Sequence, residues 1–124
     1  MLCHCSEKLN TTSKKMLELA KTLMNMICDS FEVELEAEST ALTEDARVQM
    51  IRYAAPMNNK TVTGAQVHAD GGLLTILFQN EVEGLQVQPS KGEWHEVKLG
   101  GGGLIVLAGL ALRVSSKLLL MMKI

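Results

Sequence analysis

Large side chains are scarce in this chain. Phe31, Phe78, Tyr53 and Trp94 are its only aromatics, 3% of 124 residues, so few bulky anchors are available to fix a core. Eight methionines take over part of that role, filling space without specifying it closely. Cysteine is also sparse, and its count of three is odd. Cys3 and Cys5 stand too near each other for an ordinary disulfide framework, and Cys28 falls within a helical pattern. That usage points to a reducing, cytoplasmic setting. Neither sign of charge dominates: 12 Lys and Arg against 14 Asp and Glu leave a net charge of −2. With no basic stripe interleaved with aromatics, nucleic-acid binding is not expected. Long hydrophobic runs are missing too. The most apolar segment, Leu104–Leu112, is short of the roughly 20 residues that a bilayer demands, and Arg113 and Lys117 interrupt its continuation. The opening residues carry no apolar stretch of the secretory kind, so neither a leader nor a membrane partner is expected.

What is present suits one globular domain: 47% hydrophobic and 21% charged residues. Residues 13–31 read as an amphipathic helix. Met16, Leu19, Leu23, Met26 or Ile27, and Ser30 or Phe31 recur at spacings of three and four. Thr11, Thr12 and Ser13 are candidate N-caps, and a helix laid against a sheet is the expected packing. Beyond Phe31 the period drops to two. Glu32, Glu34, Glu36 and Glu38 alternate with Val33, Leu35 and Ala37, which suits either a strand or a solvated acidic linker. Arg47–Tyr53 alternates again and predicts a strand, ended by Pro56 and Asn58-Asn59.

The most strand-like stretch follows. Gln66–Asp70 alternates, Gly71-Gly72 interrupts, and Leu73–Gln79 is an apolar run. Leu85 and Val87 alternate with Gln86 and Gln88. Pro89-Ser90-Lys91-Gly92 predicts a hairpin loop, with Glu93–Val97 as the return strand. Leu104–Leu107 is a further candidate strand after the glycine tract 100–103. One helix followed by short strands, with no helix between them, is not a βαβ order. It predicts an α+β or mainly-β fold: an antiparallel sheet, sandwich or jelly-roll behind a helix.

One constellation carries chemistry. His68 and Asp70 stand two apart, and positions i and i+2 of a strand project from one face. An imidazole and a carboxylate so placed make two-thirds of the facial triad that holds non-haem iron(II) with open positions for other ligands. On the triplet alone, a solvent-exposed polar edge is the commoner reading, since H-x-D turns up often by chance. Cys3-His4-Cys5 is a weaker metal candidate, since zinc sites space their cysteines more widely and use a second pair.

The surroundings of His68 resemble a known family. His68-Ala69-Asp70 is followed by Thr75-Ile76-Leu77-Phe78-Gln79, by Val82-Glu83-Gly84-Leu85-Gln86-Val87 and by Gly92-Glu93-Trp94. This string is similar to the H-x-D, T-x-L-x-Q, V-x-G-L-x-V and G-x-W succession of the plant 2-oxoglutarate- and iron(II)-dependent dioxygenases, the isopenicillin N synthase-like superfamily. Ser13–Val33 resembles that family's long helix, Val48–Pro56 its x-x-Y-x-x-P strand, and Ile105–Gly109 its V-V-x-x-G strand. Tyr53-Ala54-Ala55-Pro56 and Gln79-Asn80-Glu81-Val82 look closest to the glucosinolate side-chain dioxygenase group. The resemblance implies a double-stranded β-helix, here partial. It also implies Fe(II), 2-oxoglutarate and O₂, with ascorbate as reductant, and oxidation of a small organic molecule as in plant secondary metabolism. His68 and Asp70 would be metal ligands. Tyr53 would meet 2-oxoglutarate, or else be an ordinary half-buried strand tyrosine.

The pattern then fails. The family has a second histidine late in the sheet and an Arg-x-Ser for the far carboxylate of 2-oxoglutarate. After Asp70 the sequence holds one histidine, His95, which sits beside Trp94 where the family has no ligand. Arg113-Val114-Ser115 spells Arg-x-Ser, but collinear reading puts it too early. Glycine is usual where Glu32 stands, supplying a left-handed helix cap. The expected organisation is a helical segment with an acidic linker over 1–45, a partial core over 46–112 and a divergent apolar tail over 113–124. The whole looks like a truncated member: an impaired dioxygenase or an inactive remnant acting through exposed sheet edges. The tail would be an exposed adhesive segment or an interface.

Overall fold

The computed structural model describes residues 2–32, 46–55, 57, 62–79, 82–89, 92–100, 102–113 and 120–123, with backbone alone at 2–5, 113 and 120–123. The chain divides into two compact units, Met1–Ile51 and Arg52–Ile124, each described by itself.

The first unit is built on helix α1, Leu2–Ser30. The helix starts well before residue 13, because no proline precedes Pro56 and no glycine precedes Gly64 to interrupt it. The expected N-caps are therefore inside the helix. Thr11 and Ser13 donate their hydroxyls back to the carbonyls of Glu7 and Leu9, at 2.9 and 2.8 Å. A hydroxyl bonded four residues back satisfies itself within the helix and caps nothing. The buried stripe centres on Met24 and Cys28, flanked by half-buried Leu19, Leu23 and Ile27. Met26 and Phe31 lie outside it, exposed. The acidic segment after Glu32 falls outside the described residues.

The helix ends without the residue that suits such an end. Phe31 N–H donates to the carbonyls of Ile27 and Cys28, and Glu32 N–H to that of Asp29. Glu32 then turns left-handed, with φ of 54°. A side chain there crowds its own carbonyl, which glycine avoids.

The second unit holds five strands among its described residues: β1 Leu74–Leu77, β2 Gln86–Pro89, β3 His95–Glu96, β4 Ile105–Ala108 and β5 Leu120–Lys123. A short helix α2, Leu110–Arg113, follows β4. Two antiparallel sheets result, β1-β4 and β3-β2-β5. In the first, Leu74 faces Ala108 and Leu77 faces Ile105. In the second, Val87 faces both His95 and Met122. The predicted hairpin is thus β2–β3, with Gly92 N–H closing onto the Pro89 carbonyl at 3.3 Å. Within the tail, Leu120–Lys123 pair as β5 with β2, on the side away from β3; the exposed adhesive segment or interface expected there concerns side chains outside the described residues. Arg47–Tyr53 has no regular secondary structure and pairs with no strand among the described residues, and Val48, Met50 and Ile51 are exposed. Alternation marks which face a side chain takes; only a partner backbone makes a strand.

The core of this unit is small. Leu85 (1% exposed), Ile105 and Leu107 are buried, with Leu77, Val87, Val97 and Leu99 packed against them. Gln79 ties its polar margin. Its amide nitrogen donates to the Val97 carbonyl at 3.0 Å, and its amide oxygen accepts from Gly84 and Leu85 N–H, each at 3.4 Å. Glu83 does similar work with one carboxylate oxygen, accepting from Leu99 and Gly100 N–H at 3.0 and 3.3 Å.

Replacing the left-handed residue tests the reading of the helix end. Glu32→Gly is expected to stabilise the first unit by about 1 kcal/mol, read by urea denaturation followed through the helical circular dichroism. An unchanged or lower midpoint would mean that Glu32 is not strained.

Candidate functional site

His68 and Asp70 lie on the approach to β1, not within a regular strand. His68 makes one isolated bridge, and Asp70 precedes the Gly71-Gly72 bend. Their side chains nevertheless converge, with Nε2 of His68 3.6 Å from Oδ1 of Asp70. Both are partly open, at 45% and 26% exposure.

Each side chain is oriented from behind. The Nδ1 of His68 lies 2.7 Å from the Gln66 carbonyl oxygen. A carbonyl only accepts, so Nδ1 is the donor, and Nε2 is the ring nitrogen that faces Asp70. Oδ2 of Asp70 accepts a hydrogen bond from the Thr75 hydroxyl, which leaves Oδ1 on the His68 side.

The backbone of Asp70 is fixed as well. Its carbonyl accepts from Leu110 N–H at 2.7 Å, and the carbonyls of Gly72 and Leu73 accept from Ala111 and Gly109 at 3.2 and 2.8 Å. The opening turn of α2 and the end of β4 thus clasp the Asp70–Leu73 segment. The clasp is tight: a Cβ on Gly109 would stand 2.0 Å from the Gly72 oxygen. Only glycine permits that approach.

The donor set fits a divalent ion in part. A neutral imidazole nitrogen and an ionised carboxylate oxygen suit such an ion. Metal bonds of about 2.1 Å at right angles would bring the two donors to roughly 3 Å, a small closure from their present spacing. Among the described residues no group of three His, Cys, Asp or Glu side chains gathers anywhere. His95 is exposed on β3, opposite Val87. Arg113 ends α2, and its side chain, like those of Cys3, His4 and Cys5, lies outside the described set.

Tyr53 is 42% exposed, and its ring lies against Gly64, where a Cβ would come within 2.6 Å of it. The residues that sequence reasoning passed over are Gln66, Thr75 and Gly109. Thr75 left a signal: it is the only hydroxyl in the apolar run Leu73–Gln79, five residues after Asp70. A main-chain acceptor such as Gln66 leaves none.

Residues 46–122 match the family model of the 2OG-Fe(II) oxygenase superfamily. The chain is 31% identical over 101 residues to scopoletin 8-hydroxylase of Arabidopsis thaliana, an overlap of 81% of this chain and 28% of that protein. It is 27% identical over 108 residues to the probable 2-oxoglutarate-dependent dioxygenase AOP1 of the same plant, covering 84% and 36%. With gibberellin 3-beta-dioxygenase 1 of Pisum sativum it shares 36% identity over 100 residues, covering 76% and 27%. The chain spans about a third of the length of these curated relatives. No solved structure matches it.

The clasp makes a prediction that separates two nearby glycines. Gly109→Ala is expected to cost about 1–3 kcal/mol, because backbone has to move to admit the methyl. It should also speed amide exchange at Leu110. Gly71→Ala, whose Cβ would meet nothing within 4 Å, should do neither. Equal behaviour of the two variants in thermal melts and hydrogen exchange would refute the clasp.

Proposed function

The chain belongs to the 2OG-Fe(II) oxygenase superfamily, and on that premise we propose that His68 and Asp70 are its iron ligands, within a site too incomplete for efficient turnover. The family's jelly-roll fold and its cofactors, Fe(II) and 2-oxoglutarate, come with membership. The observation that carries the proposal is the convergence of His68 Nε2 and Asp70 Oδ1 at 3.6 Å, each with its other polar atom already engaged.

The work of this chain's own residues follows from that arrangement. The Gln66 carbonyl accepts from Nδ1 of His68 and orients the ring, so that Nε2 is the nitrogen offered to the ion. Asp70 adds one negative charge and offsets part of the charge of the ion. When bound, iron and 2-oxoglutarate together supply the oxidising chemistry, in which 2-oxoglutarate and O₂ become succinate and CO₂ as a C–H bond of the substrate is oxidised. Tyr53 is proposed to present its hydroxyl to 2-oxoglutarate. The substrate is proposed to be a small organic molecule, as the names of the relatives suggest for those proteins, and the location cytoplasmic, in keeping with the unpaired Cys28.

Two things argue for impairment. His95 lies on β3, in a different sheet from β1, and does not join the pair. No third carboxylate, imidazole or thiol joins the pair among the described residues. Changes in the shell around metal ligands cost about 10–100-fold in affinity, and a lost ligand should cost at least as much.

A second reading rests on one further observation. Phe78, Leu104 and Val106 are exposed apolar side chains along the β1-β4 sheet. The chain would then act by association through its open sheet edges, as a module rather than a catalyst.

A single set of samples tests both readings. Incubation of the full chain with Fe(II), 2-oxoglutarate, ascorbate and O₂ is expected to give no succinate above that of His68→Ala. Sedimentation is expected to show self-association if the second reading holds, and a monomer at every concentration would remove it. Turnover lost in His68→Ala would overturn the impairment and direct attention to His95 and Arg113.

A further inference from the structure

Thr75 is out of place by composition. It stands in β1 between Leu74 and Ile76, opposite Leu107, on the same face as Leu77 and toward the buried core. A hydroxyl in such a position is costly unless it is bonded. Its partner is Oδ2 of Asp70, five residues earlier, across the Gly71-Gly72 bend.

That bond decides how the carboxylate is presented. An ionised carboxylate has two equivalent oxygens and rotates about its Cβ–Cγ bond. A hydroxyl donated to one oxygen is charge-assisted, so it fixes the plane of the group and occupies that oxygen. The remaining oxygen, Oδ1, faces His68 Nε2. Because Thr75 is held by ladder pairing to Leu107, its donor is set by the sheet and not by a mobile loop.

We propose that Thr75 is a positioning residue for Asp70: it reserves Oδ2 so that the carboxylate binds a divalent ion through Oδ1 alone. The inference rests on the reading of His68 and Asp70 as metal ligands. It adds to that reading a requirement for a hydroxyl at position 75, which the ligand spacing does not demand.

The test uses Mn(II) as the probe and the full chain as the protein. Loss of the six-line paramagnetic resonance signal of free Mn(II) on titration gives the affinity. Four variants are compared with the wild type. Asp70→Ala should abolish binding at the pair. Thr75→Val, which keeps the shape and removes the donor, should weaken Mn(II) binding by about 10–100-fold. Thr75→Ser, which keeps the donor, should bind within about 3-fold of wild type. Thr75→Ala serves in place of Thr75→Val if the latter fails to fold, with the same expectation.

Wild-type affinity in Thr75→Val, or in its alanine substitute, overturns the role of Thr75 while leaving the ligand pair standing. A loss in Thr75→Ser as large as that in Thr75→Val overturns it as well, since serine keeps the hydroxyl that the role requires. A wild-type chain that leaves the Mn(II) signal unchanged overturns the metal reading itself, and the proposal with it.

Discussion

The backbone of Asp70 is placed through one contact of backbone on backbone. The carbonyl of Gly72 lies so near the α-carbon of Gly109 that no side chain fits there. That approach lets three successive N–H groups, from Gly109 to Ala111, reach the carbonyls of Leu73, Asp70 and Gly72. The end of β4 is thereby locked to the start of β1, beside the register Leu74–Ala108. The carboxylate of Asp70 inherits its position from this joint, and Thr75, in the next strand, adds its orientation. The candidate site is a by-product of how two strands meet, with its chemistry carried on a structural seam.

The core behind that seam is modest. Among the described residues it consists of three buried aliphatic side chains with four partly buried partners. Polar side chains also take on structural work. Gln79 satisfies three backbone groups where β1 gives way to β2, and Glu83 satisfies two at the start of the glycine tract. Each spares the structure an unpaired main-chain group, which costs more than an average hydrogen bond contributes.

Legibility in the sequence followed the range of the interaction. The helix was visible because its stripe is local, and so was the hairpin, because Pro89 and Gly92 lie within one turn of each other. The helix start was misread. Threonine and serine mark N-caps, yet they also bond back inside a helix, and nothing local distinguishes the two uses at Thr11 and Ser13. The strand expected over Arg47–Tyr53 had the right alternation and no partner among the described residues, and β5 had a partner that no local pattern announces. The nearness of His68 and Asp70 could be read from a spacing of two. Their supports could not, because Gln66 acts through its backbone, Gly109 through the side chain it lacks, and Thr75 through a bend.

The order of strand pairing carries a consequence for how the second unit assembles. The β2–β3 hairpin lies wholly inside the stretch of chain that separates β1 from β4. Closing a long loop costs entropy that grows with the logarithm of its length, and a turn formed within the loop shortens it. Early closure at Pro89–Gly92 would thus lower the barrier to joining β1 with β4, and with it the seam that carries Asp70. Contacts so far apart in sequence make for slow folding. The candidate metal pair would be among the last features of the chain to take shape, dependent on a turn that touches neither ligand.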